Sequence, residues 1–552
     1  MKKNLRRLIL FSLVLFSIYG FFAFTKPGDR YFEIAKNLDI FASMFKEVNT
    51  YYVDEISPNV FMKRGIDGML ESLDPYTNYI PEDEIEDFRT MTTGQYGGIG
   101  AVIGKRNDKS IILMPYEGFP AHKGGLMVGD EITAIDGIVV DKKNTGDISK
   151  LLKGQSNTQV IVTIKRYGIE KPFDVKLMRE KIKIDNVPYS GMVTNDVGYM
   201  KLTDFTSNAS KEVKKSLNDL KDKGAKHIIL DLRDNPGGLL SEAINISNLF
   251  IPKDKEIVST KGKIAEWNKI YNALNAAVDT DISLVVLTNN RSASASEIVA
   301  GVMQDYDRGV LIGQRSYGKG LVQATRPLSY NSQLKITTAK YYTPSGRCIQ
   351  AIDYSHRNED GSVGTFPDSL RKPFKTKNGR TVYDGAGITP DIEVERKVQA
   401  PITSSLVNKG LLFDYATLYA SQHSKIKPAK EFKISDEDYA GFLKWLTGKE
   451  YDYTTKVETT LEDLVTNSKK EKYYDAIKGQ IESMKVQVSH NKEKDLITFS
   501  SEIKELLEEE IVSRYYLQKG IVEAGFDNDL DVQAALKIFK DQPGFNKILT
   551  GK

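Results

Sequence analysis

H-I-I-L-D-L-R-D-N-P-G-G, residues 227 to 238, is the stretch on which the fold turns. Its first half is a nearly continuous apolar run of one strand's length, the pattern expected where both faces of a strand are covered. Pro236 then prevents simple continuation, and Gly237 and Gly238 allow backbone N–H groups to be turned toward a ligand. A helical pattern from Ser210 to Lys223 precedes it. Two more short buried runs follow, Ser283 to Leu287 and Val310 to Ile312, and Leu334 to Tyr342 alternates like a strand with one wetter face. Parallel strands with helical crossovers are the simplest fit, so the expected class is α/β. In such sheets ligand and catalytic groups gather beyond the strands' C-terminal ends.

Three loops occupy such places. The first is D-L-R-D-N-P-G-G itself, residues 231 to 238, whose glycines could supply the N–H donors of an oxyanion hole or simply make a tight strand-to-helix turn. The second is R-S-A-S-A-S-E-I-V-A-G-V-M-Q-D, residues 291 to 305, with three serines ahead of an amphipathic helix carrying Ile298, Val299, Val302 and Met303. A serine there is either a nucleophile favoured by the helix dipole or an N-cap, with Glu297 as first-turn negative charge. The third is G-Q-R-S-Y-G-K-G-L-V-Q, residues 313 to 323, a glycine-flanked Lys319 followed by Gln323. It is not a phosphate loop, because Gly320 stands where a hydroxyl is needed. To serve as a base near neutral pH, Lys319 would have to lose its proton far more readily than a free lysine with pKa ~10.4, which requires burial.

Outward from this core, residues 93 to 181 change texture to short alternating runs. Their landmarks are Y-G-G-I-G-A-V-I-G (96 to 104) and F-P-A-H-K-G-G-L-M-V-G-D-E-I-T-A-I-D-G (119 to 137). Together these resemble a PDZ domain of the kind inserted in proteases, with Gly124-Gly125 where Ala-Gly is frequent. The resemblance implies that Gly98, Ile99, Gly100 and Ala101 direct backbone N–H groups at the terminal carboxylate of a peptide, which joins a sheet edge as an extra strand.

Residues 30 to 92 read as a helical cap, with apolar positions from Phe32 to Val48 at three- and four-residue steps. Residues 401 to 552 read as a lysine- and glutamate-rich helical C-terminal domain, with Ile503, Leu506, Leu507 and Ile511 on one face and no chemical motif. At the other end, Lys2, Lys3, Arg6 and Arg7 precede an apolar stretch from Leu8 to Phe24. Residues 1 to 26 are therefore expected to be an export signal, cleaved as a signal peptide or kept as an inner-membrane anchor, placing the rest in the periplasm.

Length and composition agree with this division. A chain of 552 residues is too long for one core, since cores stop growing near ~250 residues. With 40% hydrophobic and 27% charged residues it is globular over most of its length. A net charge of +3 from 77 basic and 74 acidic side chains gives no reason to expect nucleic acid as a partner. Cys348 is the lone cysteine, so no internal disulfide forms. His122, His227, His356, His423 and His490 are scattered without a metal-binding spacing, so no metal or other cofactor is expected. A Ser/His/Asp triad would have to recruit one of them.

D-L-R-D-N-P-G-G, S-A-S-A-S-E-I and G-K-G-L-V-Q, in this order after a PDZ-like module, resemble the carboxyl-terminal processing (tail-specific) serine peptidases. The resemblance runs from about Tyr51 to Glu395 and includes T-T-A-K-Y-Y-T-P-S-G-R (337 to 347) and G-I-T-P-D (387 to 391). It implies a crotonase/ClpP-like protease core over 187 to 400 within a multidomain α/β protein. It puts the nucleophile on Ser294, the general base on Lys319, a supporting glutamine at Gln323, and the oxyanion hole on Ala295 with Gly237 or Gly238. Ser292 and Ser296 are then structural. The implied partners are proteins with unstructured C-termini, and the reading leaves room for a homo-oligomer or an activator protein. A catalytically silent PDZ scaffold and an acyl hydrolase on the same fold are the competing functions.

Overall fold

The computed structural model describes residues 27–358, 360–488 and 492–551. The export segment expected at 1–26 lies outside them, and among the described residues no helix is long and apolar enough to cross a membrane. Two compact units are present, one ending at Tyr79 and the other beginning at Ile80. The first contains the helices α1 (Pro27–Tyr51) and α2 (Pro58–Glu71), whose Phe45 and Phe61 rings stack at 5.9 Å. The last helical stretch of the expected cap, Ile85–Thr93, belongs to the second unit, where the Thr92 carbonyl accepts the Ser207 N–H.

The PDZ-like module is an antiparallel sheet whose main path follows chain order: β1 (Ala101–Arg106), β2 (Lys109–Pro115), β3 (Glu131–Ile135), β4 (Gln159–Lys165) and β5 (Phe173–Met178). Ile112, Ile132, Ile135, Val160, Val162 and Ile164 alternate into one buried core. Helix α3 (Thr145–Leu152) packs beside β1, which is an edge strand, leaving a strand-and-helix groove. A ribbon of Gln95–Gly98 against Glu180–Lys183 closes the module at its two ends.

The α/β body uses β6 (Tyr189–Met192), β7 (Val197–Lys201), α4 (Ala209–Asp222), β8 (His227–Asp231), α5 (Leu240–Asn248), β9 (Glu256–Gly262), β10 (Lys269–Asn272), β11 (Ser283–Thr288), α6 (Ala295–Asp305), β12 (Val310–Gly313), β13 (Leu321–Pro327), β14 (Gln333–Tyr342) and β15 (Ile392–Glu393). One sheet runs β6-β7-β8-β11-β12-β15, antiparallel at β6 and β7 and parallel thereafter, as the buried apolar runs require. A second, antiparallel sheet joins β13 to β14, β14 to β9, and β9 to the edge strand β10.

The apolar run of β8 is explained by what covers each face. Ile228 and Leu230 point with Leu284, Val286 and Leu311 into a core built with Val213 and Leu217 of α4, Ile246 of α5, and Ile298 and Val302 of α6. Ile229 points the other way, with Tyr199, Val285, Leu287 and Ile312. Among the described residues, no crossover helix contributes to that second core. It is filled from the end of the chain, by Phe526, by Val532, Ala535 and Phe539 of α7 (Leu530–Lys540), and by Phe545 of α8 (Gln542–Thr550).

Residues beyond Pro401 thus do two jobs. Leu412, Ala416, Phe442, Ile503, Leu507 and Ile511 make a helical core of their own, as the sequence pattern predicts. The long helix Ser500–Gly525 then bends at Leu517, whose φ of 52° and ψ of −148° are non-helical, and the following residues reach the mostly parallel sheet. Near the same bend, Phe413 and Leu517 pack with Ile111, Leu113 and Val128 of the PDZ-like module, and the guanidinium groups of Arg106 and Arg514 lie 4.1 and 4.2 Å from the Phe413 ring centroid.

Candidate active site

The three loops meet. Ser294 stands immediately before α6 with φ 55° and ψ −112°, a conformation a serine rarely adopts. Of the three serines in the motif, Ser292 and Ser296 are wholly buried and only Ser294 is partly exposed, so only its hydroxyl can meet a ligand. The other two bind this turn to the loop after β8: Ser292 Oγ donates to Leu232 O at 2.8 Å and Ser296 Oγ to Asn235 O at 2.9 Å. The Ala293 N–H donates to Asn235 O as well. Ser292 and Ser296 are therefore structural in a definite sense.

Glu297 is wholly buried and joins the serine turn to the lysine loop. Its Oε2 accepts the N–H groups of Ser294 (2.8 Å) and Lys319 (2.8 Å), and its Oε1 accepts Ser316 Oγ (2.5 Å) and the Gly318 N–H (2.6 Å). Burial pushes this carboxyl's pKa up, and the four donors oppose that push. Ser316 Oγ itself accepts the Ile388 N–H at 2.7 Å, which orients its proton toward Glu297. The three backbone N–H groups can only donate, so the carboxyl oxygens are the acceptors that tie these loops together. Tyr341, 1% exposed, adds a second link, its hydroxyl lying 2.6 Å from Lys319 O and 3.1 Å from Ser294 O. Glu297→Gln turns an amide NH2 toward backbone donors. It is expected to lower unfolding free energy by about 3 kcal/mol and turnover by about a hundredfold with little change in KM. Denaturant unfolding and steady-state kinetics check this, and native turnover in the variant would show that the loops are held by other contacts.

The geometry separates the two glycines. The Gly237 N–H donates to Asn235 Oδ1 at 2.9 Å and is already used. The N–H groups of Gly238 and Ala295 make no hydrogen bond among the described residues. Gly237 has a different duty. A Cβ there would lie 2.6 Å from Ala293 O and 2.9 Å from Ser294 Cβ, and φ is 98°, so glycine lets this loop pack onto the serine turn. Asn235 fixes the loop further by donating to Leu202 O at 2.7 Å.

One cleft of about 470 Å³ is lined by Ser294, Lys319, Gln323, Ala295, Gly237 and Gly238, every residue expected at the catalytic centre. Gln323 donates its amide to Thr337 Oγ1 at 3.1 Å. Sequence reasoning missed Glu297's double contact, Tyr341, and Phe88 and Met91 on the cleft wall. It also missed Lys335, whose ammonium pKa is lowered by burial, and Asp204, whose carboxyl pKa is raised by burial. None of the described histidines lines the cleft. His227 begins β8, at the end of the strand away from the loops, and stacks on Phe539 at 4.7 Å. Among the described residues no group of His, Cys, Asp and Glu is placed to hold a metal.

In the PDZ-like module, Gly98, Ile99 and Gly100 are buried and Ala101 begins β1. The carbonyls of Ile99 and Gly100 accept the N–H groups of Ala121 (2.8 Å) and Tyr116 (2.9 Å). The N–H groups of Ile99 and Gly100 make no hydrogen bond among the described residues, at the head of the groove between β1 and α3.

Residues 196–356 match the family described as Peptidase family S41, residues 111–166 a PDZ domain, and residues 402–539 the family described as "Probable PDZ-protease, C-terminal helical domain". The chain is 38% identical over 321 residues to a carboxy-terminal-processing protease of Bartonella bacilliformis, a match spanning 57% of this chain and 73% of that protein. It is also 38% identical over 316 residues to a "Probable CtpA-like serine protease" of Staphylococcus aureus, spanning 57% of this chain and 62% of that one. Among solved structures, the photosystem II D1 C-terminal processing protease is 26% identical with a TM-score of 0.36, covering 64% of this chain and 92% of that chain.

Proposed function

The chain belongs to peptidase family S41, among the carboxy-terminal-processing proteases with a PDZ domain, and we propose on that premise that it is an endopeptidase cutting unfolded protein tails with a Ser294/Lys319 pair. The observation that carries the proposal is the meeting, in one cleft, of a partly exposed serine in a strained turn, a lysine, and two unengaged N–H groups. Neutral Lys319 takes the Ser294 proton as Oγ attacks the scissile carbonyl. The tetrahedral oxyanion is held by the Ala295 and Gly238 N–H groups, and the lysine then gives its proton to the leaving amine. Water enters by the same route, and hydrolysis of the acyl-enzyme restores the serine. Gln323 supports the lysine side of the cleft.

The PDZ module supplies selection. Its Ile99 and Gly100 N–H groups meet the terminal carboxylate while the tail adds to β1 beside α3, with Gly98 and Ala101 setting the loop's path. The basic and apolar opening of the sequence supports export and work in the periplasm, on a cleaved or membrane-tethered chain. Amidating the C-terminus of an unfolded-tail substrate is expected to raise KM about tenfold while leaving turnover nearly intact, since charge-assisted hydrogen bonds to the carboxylate are lost. Equal KM for free and amidated tails would remove carboxylate capture from the mechanism. Cleavage of thioesters with no cleavage of peptides would replace the peptidase by an acyl hydrolase.

A further inference from the structure

The catalytic cleft does not end at the oxyanion loop. Leu240, two residues beyond Gly238, lines both that cleft and a second groove of about 470 Å³ between α5 and the edge strand β10. The walls of this groove are Ile244 from α5, and Ile270, Tyr271 and Leu274 from β10 and the turn after it. Among the described residues no charged side chain lines it, and its polar groups are the neutral Ser241, Asn245 and Asn272. Ile270 is 67% exposed and Leu274 71% exposed, an apolar surface beside a strand that, among the described residues, is paired only on its β9 side. Exposed apolar side chains next to an open strand edge mark a recognition surface.

We propose that this groove is an exosite for the substrate polypeptide, which adds to the free edge of β10 as an extended strand and seats large apolar side chains between Leu240, Ile244, Ile270 and Leu274. The inference rests on the peptidase reading above for the identity of the occupant. Continuity supplies the physical link, because Leu240 is a wall of both the cleft and the groove, so that a chain held at Gly238 and Ala295 reaches the groove across one shared side chain. An edge strand beside a helix is also the geometry by which extended peptides are bound through main-chain hydrogen bonds, with side-chain pockets setting preference. The substrate class is therefore an unfolded, uncharged stretch with large apolar residues near the cut, and the exosite selects it independently of the terminal carboxylate.

The test uses the full chain carrying Ser294→Ala, with fluorescence anisotropy of two labelled, C-terminally amidated polypeptides that differ only in bearing leucines or serines at alternate positions. Ile270→Glu and Leu274→Glu change exposed side chains, and circular dichroism and melting verify that both variants fold. Each is expected to weaken the leucine polypeptide about tenfold, the loss of one seated aliphatic side chain. The serine polypeptide should bind weakly and equally to all, and Ile270→Leu should restore binding. With Ser294 intact, KM for the leucine polypeptide should rise about tenfold while turnover of a short peptide covering only the cleft stays unchanged. Unaltered binding of the leucine polypeptide in both glutamate variants overturns the exosite. A change of sedimentation in those variants without a change in polypeptide binding would also overturn it and assign the groove to a second copy of the chain. Binding needs no turnover: an inert wild type whose Ser294→Ala form still binds through Ile270 would keep the exosite and remove the peptidase reading.

Discussion

Replacing Ser294 by alanine is expected to lower turnover of an unfolded-tail substrate by about 10^4-fold or more, and Lys319→Ala by a comparable factor, because in the proposed mechanism each removes half of one proton-coupled nucleophile. The two losses should not add: the double variant should retain the activity of either single variant. Lys319→Arg should be as inactive as Lys319→Ala, since a guanidinium stays charged and cannot accept the serine proton. In the proposed mechanism the neutral amine is the working form, so kcat/KM of the wild type should rise with pH along a single deprotonation before any alkaline loss of structure. Substrate binding should survive in Ser294→Ala, since the PDZ loop and the groove beyond Leu240 are untouched by the change. Steady-state kinetics with an anisotropy titration separates these outcomes. Full activity in Ser294→Ala would move the nucleophile elsewhere, and an active Lys319→Arg would end the role of lysine as base.

The residues that the fold gathers in one cleft were legible from sequence because chemistry is concentrated in short motifs at the ends of buried strands. The run from 227 to 231 announced a strand covered on both faces, and its alternating contacts bear that out. What sequence could not show is which contacts hold the motifs together. Glu297 reads as an ordinary acidic residue in a helix's first turn, yet its carboxylate binds Ser316, Gly318 and Lys319 some twenty residues away. Tyr341 reads as one more residue of an alternating strand. Gly237 and Gly238 are equivalent as letters, and only the Asn235 side chain, by taking the Gly237 N–H, distinguishes them. Local periodicity carries no information about partners so far apart in the chain.

The same blindness hid the role of the chain's end, and there the expected effect is largest for stability. Crossover helices α4, α5 and α6 all contribute to the core on one face of the parallel sheet, so the other face depends on Phe526, Val532, Ala535, Phe539 and Phe545. Four of these are large side chains worth roughly 1.5 to 3 kcal/mol each when buried, about 6 to 12 kcal/mol together, comparable with the whole stability of a typical domain. The charged contacts point the same way. Arg233, in the loop that carries the proposed oxyanion donor Gly238, is held by Asp231 behind it and by Asp529 and Asp531 at the start of α7, at 2.7 to 2.9 Å. Burial would raise the Asp231 carboxyl, but Arg233 and Tyr199 hold it below the ordinary carboxylate range. A chain ending at Gly525 is therefore expected to lose its cooperative thermal transition and all activity, although every residue assigned to catalysis is present. Phe539→Ala, which opens a cavity and removes the ring stacked on His227, should cost about 3 to 5 kcal/mol. The paired change Asp529→Asn and Asp531→Asn keeps the apolar cover and tests the charge contacts alone. It should reduce turnover with KM unchanged, because Arg233 is then anchored as a charge only by Asp231 and the Gly238 loop loses one of its supports. A soluble, active chain ending at Gly525 would show that the sheet's second face needs no cover, and with it the link between the C-terminal helices and the oxyanion loop would fall.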